Sequence, residues 1–368
     1  MADTTQTRTI KLSEAKKYAL HHFKHKRPFF LWGQPGIGKS DLIAGIVNEM
    51  KDACLIDVRL PLWEPTDIKG IPYYNAAENN MIWAAPSELP SEEFAKNYKT
   101  VVLFLDELNG ASPSVQAAAY QLVLNRRVGT YKLPDNVVLV AAGNRESDKG
   151  VSYRMPKPLA NRFLHYEIRV DFQDWQNWAV SNGIHPDVVG YLTFAKNDLN
   201  KFDASSSDRS FATPRSWSFV SELLQDSAGF SSEEITDMVS ASIGEGIALK
   251  FNAHRAVSSL LPDPTLILKG KITDLKTREI SAMYSLATSL AYELKTVYDS
   301  IGREVKQDDF NEMLDNMLGF CIKHFEPEMS IMSIRVLATQ YGMKLPLRKL
   351  KNGTIFFDKY GDLINAAA

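Results

Sequence analysis

LWGQPGIGKSDLIAGI, residues 31–46, crowds Gly33, Pro35, Gly36 and Gly38 into six positions, then turns to Lys39, Ser40 and a run with helical spacing. An apolar stretch, PFFLW (28–32), comes directly before it. GQPGIGKS (33–40) therefore fits G-x-x-x-x-G-K-[ST] in a strand–loop–helix setting. Glycines let the backbone fold tightly enough for successive N–H groups to point inward, and the N-terminus of the following helix adds positive potential. Such a loop is shaped for phosphate. Gly33, Gln34, Pro35, Gly36, Ile37, Gly38, Lys39, Ser40 and Asp41 form the expected binding stretch for ATP or GTP. Lys39 would reach the β- and γ-phosphates, and Ser40 would offer a hydroxyl to Mg²⁺. The bland alternative is a glycine-rich turn that matches by chance.

Working outward, CLIDVRL (54–60), VVLFL (101–105), VVLVAA (137–142) and FLHYEIRV (163–170) are further short apolar runs. Helix-like segments such as DLIAGIVNEM (41–50) and SPSVQAAAYQLVLN (112–125) separate them. Alternation of this kind predicts an α/β domain with a parallel five-stranded sheet covered by helices on both faces, over residues 1–172. IPYYN and MIWAA flank AAENN, predicting an inserted hairpin near 71–85. Beyond Val170 the pattern is helical. TPRSWSFVSELL (213–224) and SEEITDMVSASIGEGIALKF (232–251) predict an α-helical lid over 173–262, and LPDP (261–264) marks its end. Residues 263–368 read as a C-terminal helical region with a basic and aromatic tail, in which Asn352-Gly353 is expected to close a small hairpin. Residues 11–25 also read as helix, with His21 and His25 at a solvated end.

VVLFLDE (101–107) is a strand that ends in two carboxylates. Asp106 sits where Mg²⁺ needs a partner, and Glu107 where an attacking water must be polarised. Asn144 ends the next strand, beside the expected γ-phosphate position. Arg154 and Arg162, in SYRMPKPLANRF, precede the last strand, and Arg215 opens a helix of the predicted lid. Taken singly, each arginine is as well read as a surface ion pair; their order along the chain is what suggests catalysis.

Composition narrows the partners. The 368 residues carry a formal net charge of −2, which gives no global reason to expect nucleic acid or an anionic membrane. A local basic strip, Lys344, Arg348, Lys349 and Lys351, is the exception. The two cysteines, Cys54 and Cys321, have no metal spacing and suggest a reducing compartment. The N-terminus lacks the apolar core of a signal peptide, and no run reaches membrane-spanning length, so a soluble cytoplasmic protein is expected.

In this order the motifs resemble those of AAA+ ATPases, and more narrowly the MoxR-like branch. GQPGIGKS stands as Walker A, PTDIKG as a segment of that branch, FLDELN as Walker B, AAGN as sensor 1 and TPRSW as sensor 2, with SVQAAAYQLVLNRRV and LANRF between. The resemblance spans roughly residues 10–225. It implies a homo-oligomeric ring, commonly a hexamer, with nucleotide between neighbours. It makes Asn144 the group that orients water and γ-phosphate, Arg162 a finger acting on the neighbouring subunit with Arg154 still open for that role, and Arg215 the lid sensor. The hairpin near 71–85 corresponds to an insert facing the pore, and GTYKLPDN (129–136) to a second hairpin. Tyr73, Tyr74 and Trp83 would then touch a client, or simply pack the insert on its own domain. Arg126 and Arg127 fall near the implied interface. Asn161-Arg162-Phe163 stands where Asp-Arg-Phe is common, Arg145 where a proline is, and Gly110 where a basic residue is.

The resemblance implies ATP hydrolysis coupled to remodelling or maturation of a partner, such as a von Willebrand factor A domain protein or a metalloenzyme. Two alternatives stand beside it: a nucleic-acid motor or loader, and a nucleotide-gated scaffold with negligible turnover. Retention of Lys39, Asp106, Glu107 and Asn144 disfavours the scaffold.

Overall fold

The computed structural model describes residues 8–84, 86–148, 153–258, 261–275, 279–302 and 305–365. The chain divides into two compact units, Met1–Asp174 with Phe202–Ser207, and Trp175–Lys201 with Asp208–Ala368. Segments 173–262 and 263–368, which the sequence separates at LPDP, share the second unit apart from a few residues.

The first unit runs β1 (Thr9–Ile10), α1 (Leu12–His25), β2 (Phe29–Trp32), α2 (Lys39–Glu49), β3 (Ala53–Arg59), α3 (Pro65–Lys69), β4 (Ile71–Asn75), β5 (Asn80–Ala84), α4 (Glu92–Ala95), β6 (Thr100–Asp106), α5 (Pro113–Asn125), β7 (Arg127–Val128), β8 (Tyr131–Lys132), β9 (Val137–Gly143), α6 (Lys157–Ala160) and β10 (Leu164–Ile168). Its main sheet has the order β1-β10-β2-β9-β6-β3, and every pair is parallel. Five of these strands are the five apolar runs. The sixth, β1, is a two-residue strand beside β10, too short to leave a periodic pattern.

Both faces of this sheet are buried, so its strands read as unbroken apolar runs. On one face Val101, Leu103, Leu105, Val137, Leu139 and Ala141 pack with Val115, Ala118 and Leu122 of α5. On the other, Val102, Phe104, Val138, Val140 and Ala142 meet Ala15, Ala19 and Phe23 of α1 and Ile43, Ile46 and Val47 of α2. Because the strands are parallel, β2, β6 and β9 end on one side of the sheet, where α/β proteins bind ligands. The loop after β2, the Asp106 end of β6 and the Gly143 end of β9 therefore converge.

The insert forms as expected: β4 and β5 pair antiparallel from Ile71↔Ala84 to Asn75↔Asn80. Tyr73, Tyr74, Ile71 and Met81 are each at least half exposed. Trp83 is half-buried, with the hydroxyl of Thr130 donating to its carbonyl at 2.9 Å and Gly129 against its ring. The second hairpin pairs Arg127 with Lys132 and Val128 with Tyr131, so it turns at Gly129-Thr130, earlier than the 129–136 reading.

The second unit is helical: α7 (Phe172–Ser181), which starts at the boundary, then α8 (Pro186–Phe194), α9 (Pro214–Gln225), α10 (Ser232–Ile243), α11 (Glu245–Ser258), α12 (Pro264–Leu268), α13 (Ile280–Asp299), α14 (Gln307–His324), α15 (Pro327–Arg335) and α16 (Lys351–Asn365). The 232–251 segment is two helices rather than one. Gly244 breaks it at φ 86°, close enough to Ser210 that a Cβ there would lie 2.9 Å from the Ser210 carbonyl oxygen. The hairpin expected at Asn352-Gly353 is not formed, because these residues open α16. The Asn352 N–H donates to Asp315 at 2.7 Å, and Phe356 and Tyr360, one helical turn apart, are buried in the core of α12–α16. Among the described residues no helix is long and apolar enough to cross a membrane.

Candidate active site

The loop from Gly33 to Gly38 joins β2 to α2. Gly36 and Gly38 have φ of 75° and 92°, left-handed values that a Cβ would strain. Gly38 is the residue before α2, so the loop delivers Lys39 and Ser40 to the first turn of a helix whose N–H groups face the loop. Asp41 follows in that turn and is exposed. Ile37 is buried beneath the loop, while Gln34 and Pro35 are half-buried.

Lys39 is buried, and its ammonium donates to the carbonyls of Gly33 at 2.8 Å and Gln34 at 2.9 Å and to Asn144 Oδ1 at 3.2 Å. One cation thus joins the loop after β2 to the end of β9. The Ser40 hydroxyl donates to Asp106 Oδ2 at 2.8 Å, and the Glu107 N–H donates to Asp106 Oδ1 at 2.9 Å. Both carboxylate oxygens of buried Asp106 are therefore satisfied within the chain. Glu107 is left-handed, with φ 54°, and its side chain is exposed. That backbone conformation is unfavourable for a residue with a Cβ by about 1 kcal/mol or more, and its recurrence at functional sites is general.

Ser40 and Asp106 offer two hard oxygens at hydrogen-bond distance, a donor set that fits Mg²⁺ completed by phosphate and water. Among the described residues no group of three or more His, Cys, Asp or Glu side chains could hold a metal ion by itself. His21 and His25 are exposed, with ring centroids 4.6 Å apart.

Of the residues singled out from sequence, Gly33–Ser40, Asp106, Glu107 and Asn144 come together here. Arg154 and Arg162 lie on the segment before β10, exposed, with no ion pair among the described residues. Ser152, which opens that stretch, lies outside the described residues. Arg215 is exposed on the first turn of α9, within the second unit. Arg126 is turned inward: its guanidinium donates to the carbonyls of Pro134 at 2.7 Å and Val137 at 2.9 Å, whereas Arg127 is exposed.

Three residues of this region escape a reading of the sequence alone. Asn109, 2% exposed, donates from Nδ2 to the carbonyl of Asn144 at 2.7 Å. Arg145 pairs with Glu167 at 2.6 Å and donates to the Ile168 carbonyl at 3.1 Å, anchoring the chain after β9 to β10. The carboxyl of Asp57, an exposed residue, is held above the ordinary range by partial desolvation and then by Asp106, with Arg59 opposing. Charges inside CLIDVRL, an otherwise apolar strand, were the visible signal for Asp57 and Arg59.

Residues 29–169 match the family described as ATPase family associated with various cellular activities (AAA), which is well under half of the chain. The matched residues run from β2 through β10 of the first unit. Midasin from Giardia intestinalis is 27% identical over 199 residues, 52% of this chain; the chain spans 4% of that protein's length. Among solved structures, a proline-to-glycine mutant of RuvB from Thermotoga maritima is similar at 19% identity and TM-score 0.37, over 82% of this chain and 87% of that one. NtrX from Brucella abortus is similar at 13% identity and TM-score 0.37, over 72% and 63%.

Proposed function

We propose that this chain is a ring-forming ATP hydrolase of the MoxR-like branch that uses hydrolysis to remodel or mature a partner protein. The observation that carries the reading is the convergence of Lys39, Ser40, Asp106 and Asn144 through hydrogen bonds at one end of the sheet, next to the exposed Glu107 carboxylate. In this reading the glycine-rich loop and the N-terminus of α2 bind the phosphates, and Lys39 neutralises charge on the β- and γ-phosphates. Ser40 and Asp106 would hold Mg²⁺, which would supply positive charge to offset that developing on the phosphates. Glu107 orients the attacking water and accepts its proton, and Asn144 aligns that water with the γ-phosphate.

Exposure of Arg154 and Arg162, without carboxylate partners among the described residues, supports a guanidinium offered to a second subunit. The β4–β5 hairpin supports a protein client, because Ile71, Tyr73, Tyr74 and Met81 present apolar groups to solvent on both faces of a two-stranded ribbon.

The test is ATPase rate against protein concentration, with mass photometry on the same samples, with and without ATP and Mg²⁺. Specific activity should rise as oligomers form. Constant activity from a monomer would overturn the ring, and no activity at any concentration would overturn the hydrolase.

A further inference from the structure

We infer that Asn109 is a positioning residue of the hydrolytic site, one that holds Asn144 and the Glu107 turn in a fixed relation; this rests on the function proposed above. Asn109 lies in the 3₁₀ turn Leu108–Gly110, which begins immediately after Glu107 and is closed by the Gly110 N–H donating to the Glu107 carbonyl at 2.7 Å. From that turn its Nδ2 donates to the main-chain carbonyl of Asn144 at 2.7 Å. Its own carbonyl accepts from the Tyr153 N–H at 2.6 Å, one residue before Arg154. One buried asparagine thus ties together three segments that each carry a residue of the site. They lie far apart in sequence, and no ladder hydrogen bond joins the chain beyond Gly143 to the Glu107 turn.

The fit around Asn109 is close. A Cβ on Gly143 would stand 2.0 Å from Asn109 Oδ1 and 2.9 Å from its Cγ, so residue 143 must be glycine for the amide to reach Asn144. The Asn144 side chain, whose main chain is fixed by this bond, sets its Oδ1 3.2 Å from the Lys39 ammonium. Losing the Asn109 donor should free the Asn144 main chain relative to Glu107 without removing any group expected to bind phosphate. The expected signature is a fall in kcat with little change in nucleotide affinity, since misplacement by about 1 Å at a reacting centre costs roughly 10²-fold. An asparagine that merely satisfies a buried carbonyl would lower stability instead.

The experiment is a double-mutant cycle of Asn109→Ala and Asn144→Ala, read by steady-state kcat, by binding of a fluorescent ATP analogue and by urea unfolding. Asn109→Ala should lower kcat about tenfold or more with affinity within about twofold, and should add almost nothing on the Asn144→Ala background, as residues acting as one unit do. Full multiplication of the two losses, or a loss confined to affinity, would overturn the inference.

Asn109→Asp gives a second route if the alanine variant does not fold. An ionised carboxyl cannot donate to the Asn144 carbonyl, but a protonated one can. Its kcat relative to wild type should therefore recover as pH falls from about 8 to about 5.5, and a ratio flat with pH counts against the bond. Wild-type protein that does not hydrolyse ATP would instead defeat the functional reading, so the two failures are distinguishable.

Discussion

Glu107 occupies a backbone conformation that its side chain disfavours, and the turn around it is held by the hydrogen bonds to Asp106 and Gly110. Under the proposed function its carboxylate is the group that takes a proton from water. Glu107→Gln preserves shape and removes that basicity, so turnover should fall about 10²–10⁴-fold while binding of the ATP analogue stays near wild type; equal turnover in the two proteins rejects Glu107 as the base. Arg162→Ala should lose roughly 10³–10⁵ in turnover if it is the finger, and mixing it with Lys39→Ala should restore part, because one intact interface forms from two defective subunits. Mixed rings without any recovery would point away from a role in trans and leave Arg154 to be tried in the same way. Lys39, Ser40, Asp106, Glu107 and Asn144 are legible in the sequence because their chemistry is tied to strand ends and short fixed spacings. Asn109 and Arg145 are not, since their partners are set by which strand lies beside which. Arg126 shows the converse: a cation that looks available is used to hold backbone carbonyls.

At the level of elements, two of the misreadings share a cause. Gly244 and Gly353 are both glycines whose meaning depends on a distant neighbour. Gly244 ends a helix against Ser210. Gly353, in a dipeptide that normally signals a turn, lies inside the first turn of α16 because Leu347 passes so close that a Cβ would be 2.1 Å from its carbonyl oxygen. Local propensity would have Gly353→Ala stabilise a helix by up to about 1 kcal/mol. Contact with a backbone oxygen reverses the sign, and the substitution should destabilise by about 1–3 kcal/mol. Urea unfolding followed by circular dichroism measures it, and a stabilised variant would mean that the Leu347 backbone yields easily.

Across the whole molecule, three histidines have pKa values below the ordinary range, chiefly through burial. His22 in the first unit is depressed further by His21 and His25; in the second unit, His185 and His254 feel an opposing pull from Asp187. His254 is the most exacting, 4% exposed, with neither ring nitrogen hydrogen-bonded among the described residues. A histidine near pKa 6.5 when unfolded and lower when folded takes up its proton first in the unfolded chain. Stability is therefore full above about pH 7 and is lost as pH falls through about 6.5 toward the folded values, before most carboxylates titrate. Urea midpoints should drop between roughly pH 7.5 and pH 5.5, less steeply in His254→Leu, and a midpoint that rises on acidification contradicts the assignment.

Among the described residues β3 is the last strand of the main sheet on its side, with no strand along its outer edge. Seven residues long and otherwise apolar, it is the kind of edge on which another chain can add a strand and begin to aggregate. Asp57 and Arg59 interrupt it with opposite, exposed charges. A stranger's strand laid along this edge would have to desolvate both. The pair that interrupts an apolar run near Asp106 thus also makes this edge costly to extend.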